Sequence, residues 1–100
     1  MELSVLERLV TLGLLPQDGD YTNLRLVRVA RESLSFTEEE LKLLNFREEG
    51  TQTKWDSTVE PKEILIGETV TEIIQKSLKD LNDTKKLKDE HLTVYEKFID

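Results

Sequence analysis

The residues that could carry chemistry are few and scattered. His91 is the only histidine and the only side chain that ordinarily titrates near neutral pH. A general base needs a nucleophile to serve and a carboxylate to orient it. Only Asp89 and Glu90 are guaranteed nearby by chain position. One histidine specifies no triad, and on a helical wheel His91 falls beside Tyr95 and Phe98, so a packing or first-turn role is expected. With no cysteine in the chain, a disulfide, a thiolate nucleophile and a Cys-based zinc site are excluded. Asp18-Gly19-Asp20-Tyr21-Thr22 has the flavour of a calcium loop, but the sixth and twelfth positions, Asn23 and Val29, lack the required glycine and glutamate.

Two further groups invite binding rather than catalysis. Arg25, Arg28 and Arg31 recur every third residue and form one broad stripe on a helix, with Arg8 close by if the first two helices pair. Arginine forks suit phosphates and a partner's carboxylates alike. The competing expectation is internal neutralisation by acids such as Glu38 to Glu40, or simple solvation. No aromatic residue interleaves with the stripe, which weakens single-strand nucleic-acid binding. Trp55, the only tryptophan, is an interface anchor if partly exposed and otherwise a cover over a small core. Glu48, Glu49, Glu60 and Glu63 would need a defined cleft to act as paired carboxylates. Near strand ends they more simply keep an edge soluble.

These residues sit on a chain that reads as helices interrupted by a ribbon. Glu2 to Leu14 reads as a first helix, apolar through Leu3, Val5, Leu6, Leu9, Val10 and Leu12, with Glu7, Arg8 and Thr11 on its polar face. Gly13 and Pro16 stop it. Thr22 or Asn23 caps a second helix running to about Ser35. Its apolar arc is the widest, so it is expected to be central and to form a hairpin with the first. Thr37-Glu38-Glu39-Glu40 is a capping box, flanked by a Phe36–Leu41 staple, and opens a short third helix to about Leu44.

Phe46 to Gly67 changes period. Glu49-Gly50 supplies a tight turn, Asp56-Ser57-Thr58 a second loop, and Lys62 to Ile66 a third strand, giving a small antiparallel ribbon or three-stranded meander. Gly67 or Thr69 caps a fourth helix striped by Val70, Ile73, Ile74, Leu78 and Leu81. After a modest lysine run, Lys85, Lys86 and Lys88, a fifth helix runs from about Lys88 to Ile99, with Leu92, Tyr95, Phe98 and Ile99 on one side.

One hundred residues make a single domain. The expected fold is α+β: a helical hairpin, a short third helix, the ribbon and two C-terminal helices. They share one core led by Leu6, Leu9, Val27, Leu34, Ile64, Ile73, Ile74, Leu78 and Tyr95. A net charge of −7 opposes a general phosphate-binding surface and anionic membranes. No apolar run approaches the roughly 18 residues of a membrane span, and no basic signal segment opens the chain, so a cytoplasmic protein is expected.

The run FTEEELKLLNFREEGTQTKWD at residues 36–56, followed by EILIGE at 63–68 and HLTVYEKF at 91–98, resembles small orphan proteins of phages and prophages of Gram-positive bacteria. The likeness covers much of the chain. It implies a short accessory protein made inside an infected cell and transfers no active residue. The expected function is non-enzymatic protein interaction or self-association through the ribbon edge and Trp55 or the arginine stripe, with no metal, cofactor or small-molecule ligand evident. The alternative is nucleic-acid or anion binding through Arg25, Arg28 and Arg31.

Overall fold

Ser4, not Glu2, starts the first helix. In the computed structural model, which describes residues 1–56 and 59–100, the Glu7 amide donates to the Ser4 hydroxyl at 3.2 Å, and the Ser4 amide donates to the Glu7 carboxylate at 2.9 Å. This capping box frees the preceding residues from the helix. They extend instead into β1 (Glu2–Leu3), which pairs antiparallel with β4 (Lys62–Glu63) in the register Glu2↔Glu63 and Leu3↔Lys62. The Ile64 amide continues the ladder to the Met1 carbonyl at 2.8 Å. The expected third strand of the ribbon therefore joins the N-terminus, 59 to 61 positions upstream, and is only two residues long.

The ribbon itself is the hairpin β2 (Arg47–Glu49) and β3 (Gln52–Lys54), in the register Arg47↔Lys54 through Glu49↔Gln52. Gly50 has φ +66°, and Thr51 stays on the negative side, the pattern of a glycine-first II′ turn. All six strand residues are exposed. The fold class is α+β, with five α-helices and two separate two-stranded sheets among the described residues. Of the expected second loop, Ser57 and Thr58 lie outside the described residues.

Helix α1 (Val5–Leu14) is the hub. It touches α2 (Tyr21–Leu34), α4 (Glu68–Asp83), α5 (Leu92–Phe98) and β1. The second helix, expected at the centre, contacts only α1 and α4 among the described elements, and its Leu26 and Val29 are exposed. Its cap is Asp20, whose carboxylate accepts from the Asn23 amide at 2.9 Å; Asp precedes Thr22 as a capping side chain and the helix starts one residue after it. Helix α3 (Glu38–Leu44) opens on the expected Thr37–Glu40 box. Leu41 is left exposed, and Phe36 packs edge-on to Phe46 with ring centroids 5.4 Å apart.

Val27, Leu34, Ile64, Ile74 and Leu78 are buried as expected, joined by Leu3, Val70, Val94 and Phe98. Ile73 and Tyr95 pack half-buried at the edge of this core. Leu6 is exposed and Leu9 only half-buried. The last helix is entered through a 3-10 turn at Asp89–His91, which swings Leu92 out to solvent and Val94 into the core.

Candidate binding groove

The first helix keeps Val5 and Val10 buried but is rotated relative to its hydrophobic pattern. Glu7, Arg8 and Thr11, its expected solvent face, are all buried, with Arg8 only 1% exposed. What makes this affordable is complete pairing. The Arg8 guanidinium donates from Nε to the Leu34 carbonyl at 3.1 Å and from Nη2 to the Ser35 carbonyl at 2.7 Å. Those carbonyls end α2 and lack helical partners, and a cation suits the negative end of a helix. Nη1 and Nη2 also form a fork on Glu40 at 2.6 and 3.2 Å, and the guanidinium lies 4.1 Å above the Phe36 ring. Glu40 is the capping-box glutamate of α3, so one side chain closes a cap and neutralises a buried cation. Arg8 holds its carboxyl down at about 2.

Glu7 and Thr11 are paired as well. Lys97 donates to the Glu7 carboxylate at 2.7 Å and to the Glu2 carbonyl at 2.7 Å, tying α5 to the N-terminus. Burial pushes the Glu7 carboxyl up, but hydrogen bonds from Lys97, the Ser4 amide and Thr93 outweigh it and leave it below its ordinary value. The Thr11 hydroxyl donates to the Glu7 carbonyl at 2.7 Å. Among the described residues, no buried side-chain polar atom lacks a partner.

The cost of this orientation is an apolar face left open. Leu6 and Leu9, together with Gly13 and Leu14, floor a groove of about 880 Å³ between α1, the β3 side of the hairpin and the turn after α4. A smaller depression of about 240 Å³ adjoins it through Leu6 and Trp55. Trp55 is half-buried and packs on Phe46 with centroids 5.9 Å apart. Together with Phe36 these rings fix the base of the hairpin, and the Asp56 amide anchors it to the Leu44 carbonyl at 2.7 Å.

The far wall carries Lys86, Lys88, Glu90 and His91. Its shape follows from how α4 ends. The Lys85 amide donates to the Asn82 carbonyl and the Lys86 amide to the Leu81 carbonyl, at 3.1 and 2.8 Å. This is a Schellman closure, with Lys85 at φ +58° where glycine is usual. His91 Nδ1 accepts from the Lys88 amide at 2.9 Å, so the ring caps a turn. No carboxylate or nucleophile is hydrogen-bonded to it among the described residues.

The arginine stripe is elsewhere. Arg25, Arg28 and Arg31 are exposed on α2, and among the described residues their one polar contact is a long 3.5 Å bond from Arg31 Nη2 to the Pro16 carbonyl. Arg8 does not join them. Of the acids expected to neutralise the stripe, Glu38 to Glu40, Glu40 is taken by Arg8 instead.

The chain matches no family model, no curated protein and no solved structure.

Among the described residues, no group of three or more His, Asp or Glu side chains could hold a metal ion, and no helix is long and apolar enough to cross a membrane. The groove offers an apolar floor, one strand edge and two lysines without an ion-pair partner among the described residues. That chemistry suits recognition. Sequence reading found Trp55 and the lysine run but assigned Leu6 and Leu9 to the core. The overlooked signal was Ser4-x-x-Glu7, which marks the true start of the helix and commits Glu7 to the cap.

Proposed function

We propose that this protein is a non-enzymatic protein-binding module whose partner docks in the groove between α1 and β3. One observation carries the reading: α1 buries Glu7, Arg8 and Thr11 while leaving Leu6 and Leu9 open beside an unpaired strand edge. A solitary two-stranded hairpin is marginal in water, and this one, exposed on all six strand residues, gains most from a partner that covers it. The reading fits the resemblance to phage and prophage proteins, which implies an accessory protein made inside an infected cell.

The test is site-specific photo-cross-linking in the producing cell from Leu9 and Thr53, with Lys79 on α4 as a control position, alongside light scattering of the purified chain. A discrete protein adduct from the groove positions and not from Lys79 is expected. A strict monomer with no groove-specific adduct overturns the proposal.

A second reading, nucleic-acid or anion binding through Arg25, Arg28 and Arg31, is favoured by those side chains having no carboxylate partner among the described residues. It requires affinity for DNA or RNA that falls steeply with salt; a flat titration at low salt removes it.

A further inference from the structure

We infer that the groove takes an extended, acidic segment of a partner protein, added as a strand to the outer edge of β3. The inference rests on the protein-binding reading and specifies what binds and how.

The hairpin sets the geometry. Glu49 and Gln52 flank the two-residue turn and so form a hydrogen-bonded pair. Pairs alternate along an antiparallel ladder, which makes Glu48↔Thr53 the non-bonded pair. The amide and carbonyl of Thr53 therefore point away from β2. The hairpin residues that border the groove are Thr51, Gln52, Thr53 and Trp55, with none from β2. Gln52 and Thr53 project from opposite faces of the ribbon, so a groove bordered by both runs along the strand rather than under one face. It is the edge that meets the groove, and the Thr53 amide and carbonyl, with no partner among the described residues, lie along it.

A strand added there lies about 4.8 Å from β3, with alternate side chains turned to opposite sides. One set meets Leu6, Leu9 and Leu14 on the floor. Backbone bonds supply attachment and the alternate side chains supply selectivity, as in other strand-addition complexes. A bound helix would leave both Thr53 groups unpaired.

Charge selects the peptide. In a chain of net charge −7, the groove wall carries Lys86 and Lys88, neither with an ion-pair partner among the described residues, against the single acid Glu90. A second copy of this chain does not fit as well. Its own β3 would set either Gln52 and Lys54 or Thr53, all polar, against the leucine floor and bring a further lysine near Lys86 and Lys88.

A random 12-residue peptide library panned against the immobilised full chain tests this. Acidic peptides with alternating apolar residues are expected. A recovered peptide should lose at least tenfold in affinity when one inward-facing backbone amide is N-methylated. Thr53→Pro should give a similar loss, because it removes the outward amide and no bond to β2, whereas Thr53→Val should bind as the parent does. The pair Lys86→Glu and Lys88→Glu should reverse the charge preference. Recovery of no peptide, recovery of basic or helical peptides, indifference to N-methylation, or a dimer abolished by Thr53→Pro each overturns the inference. The N-methyl series uses the unaltered protein and so does not depend on any variant folding. A groove-specific cross-link to a protein that competes with none of these peptides would sink strand addition while leaving the protein-binding reading in place.

Discussion

Arg8 Nη1 lies 2.6 Å from Glu40 Oε2, and both residues also serve helix ends, Arg8 the carbonyls that finish α2 and Glu40 the cap that starts α3. Three helices thus meet at one ion pair, of which Arg8 is 1% exposed and Glu40 14%. The pair holds α1 in the rotation that opens the groove.

Arg8→Ala should destabilise the fold by about 3–5 kcal/mol, because it leaves Glu40 and two helix-end carbonyls without their donor. Glu40→Gln keeps the shape and loses the charge, at about 1–3 kcal/mol. Urea unfolding followed by far-UV circular dichroism measures both. Values under about 1 kcal/mol for Arg8→Ala would show that the pair does not hold the helices.

Acid should unfold the protein through this same pair. The folded Glu40 carboxyl sits at about 2 against an ordinary 4.5, a depressed value. Its contribution is present in full above about pH 4.5 and is lost as pH falls towards 2. Glu7 is shifted in the same direction and adds to the loss. Between pH 4.5 and 2 the parent should lose on the order of 3 kcal/mol from Glu40, and Glu40→Gln should show a visibly shallower decline.

Lys97→Met should cost about 2–3 kcal/mol at pH 7 by leaving the buried Glu7 carboxylate without its principal donor. The deficit relative to the parent should shrink as pH falls below the ordinary carboxylate range and Glu7 becomes neutral. A deficit independent of pH would place the effect in packing instead.

Lys85→Gly should stabilise the protein, by about 0.5–1 kcal/mol, because Lys85 closes α4 in a left-handed conformation that disfavours a Cβ. Thermal unfolding reads this as a rise in midpoint. The variant keeps Lys86 and Lys88 in place, so groove binding should not change.

Leu6→Gln separates stability from recognition. Leu6 is 39% exposed, so its replacement should change stability by no more than about 1 kcal/mol. A partner captured through the groove should bind at least tenfold more weakly. Unchanged binding would move the docking surface off α1.

Local signals were legible where a few adjacent side chains decide the outcome. The Thr37–Glu40 box, the Gly50 turn and the stripe through Ile74 and Leu78 all depend on neighbours within about one or two turns of chain, and the start of α4 was narrowed to Gly67 or Thr69, of which Gly67 is the cap. The second helix misled because a wide apolar arc measures what could be buried, and Leu26 and Val29 had no element left to cover them. For the groove, the sequence offered Trp55 and the lysine run without indicating that they face each other.

The sequence by itself determined the α+β class, most helix boundaries, the absence of thiol chemistry and the acidic balance. Only the tertiary structure decided that Lys62 and Glu63 pair with Glu2 and Leu3, and which face of α1 is buried. Strand partners 59 to 61 positions apart leave no local trace. The rotation of α1 turns on whether distant groups satisfy Arg8: with Leu34, Ser35, Phe36 and Glu40 converging on it, a buried arginine is tolerated, and Leu6 and Leu9 are left facing the groove.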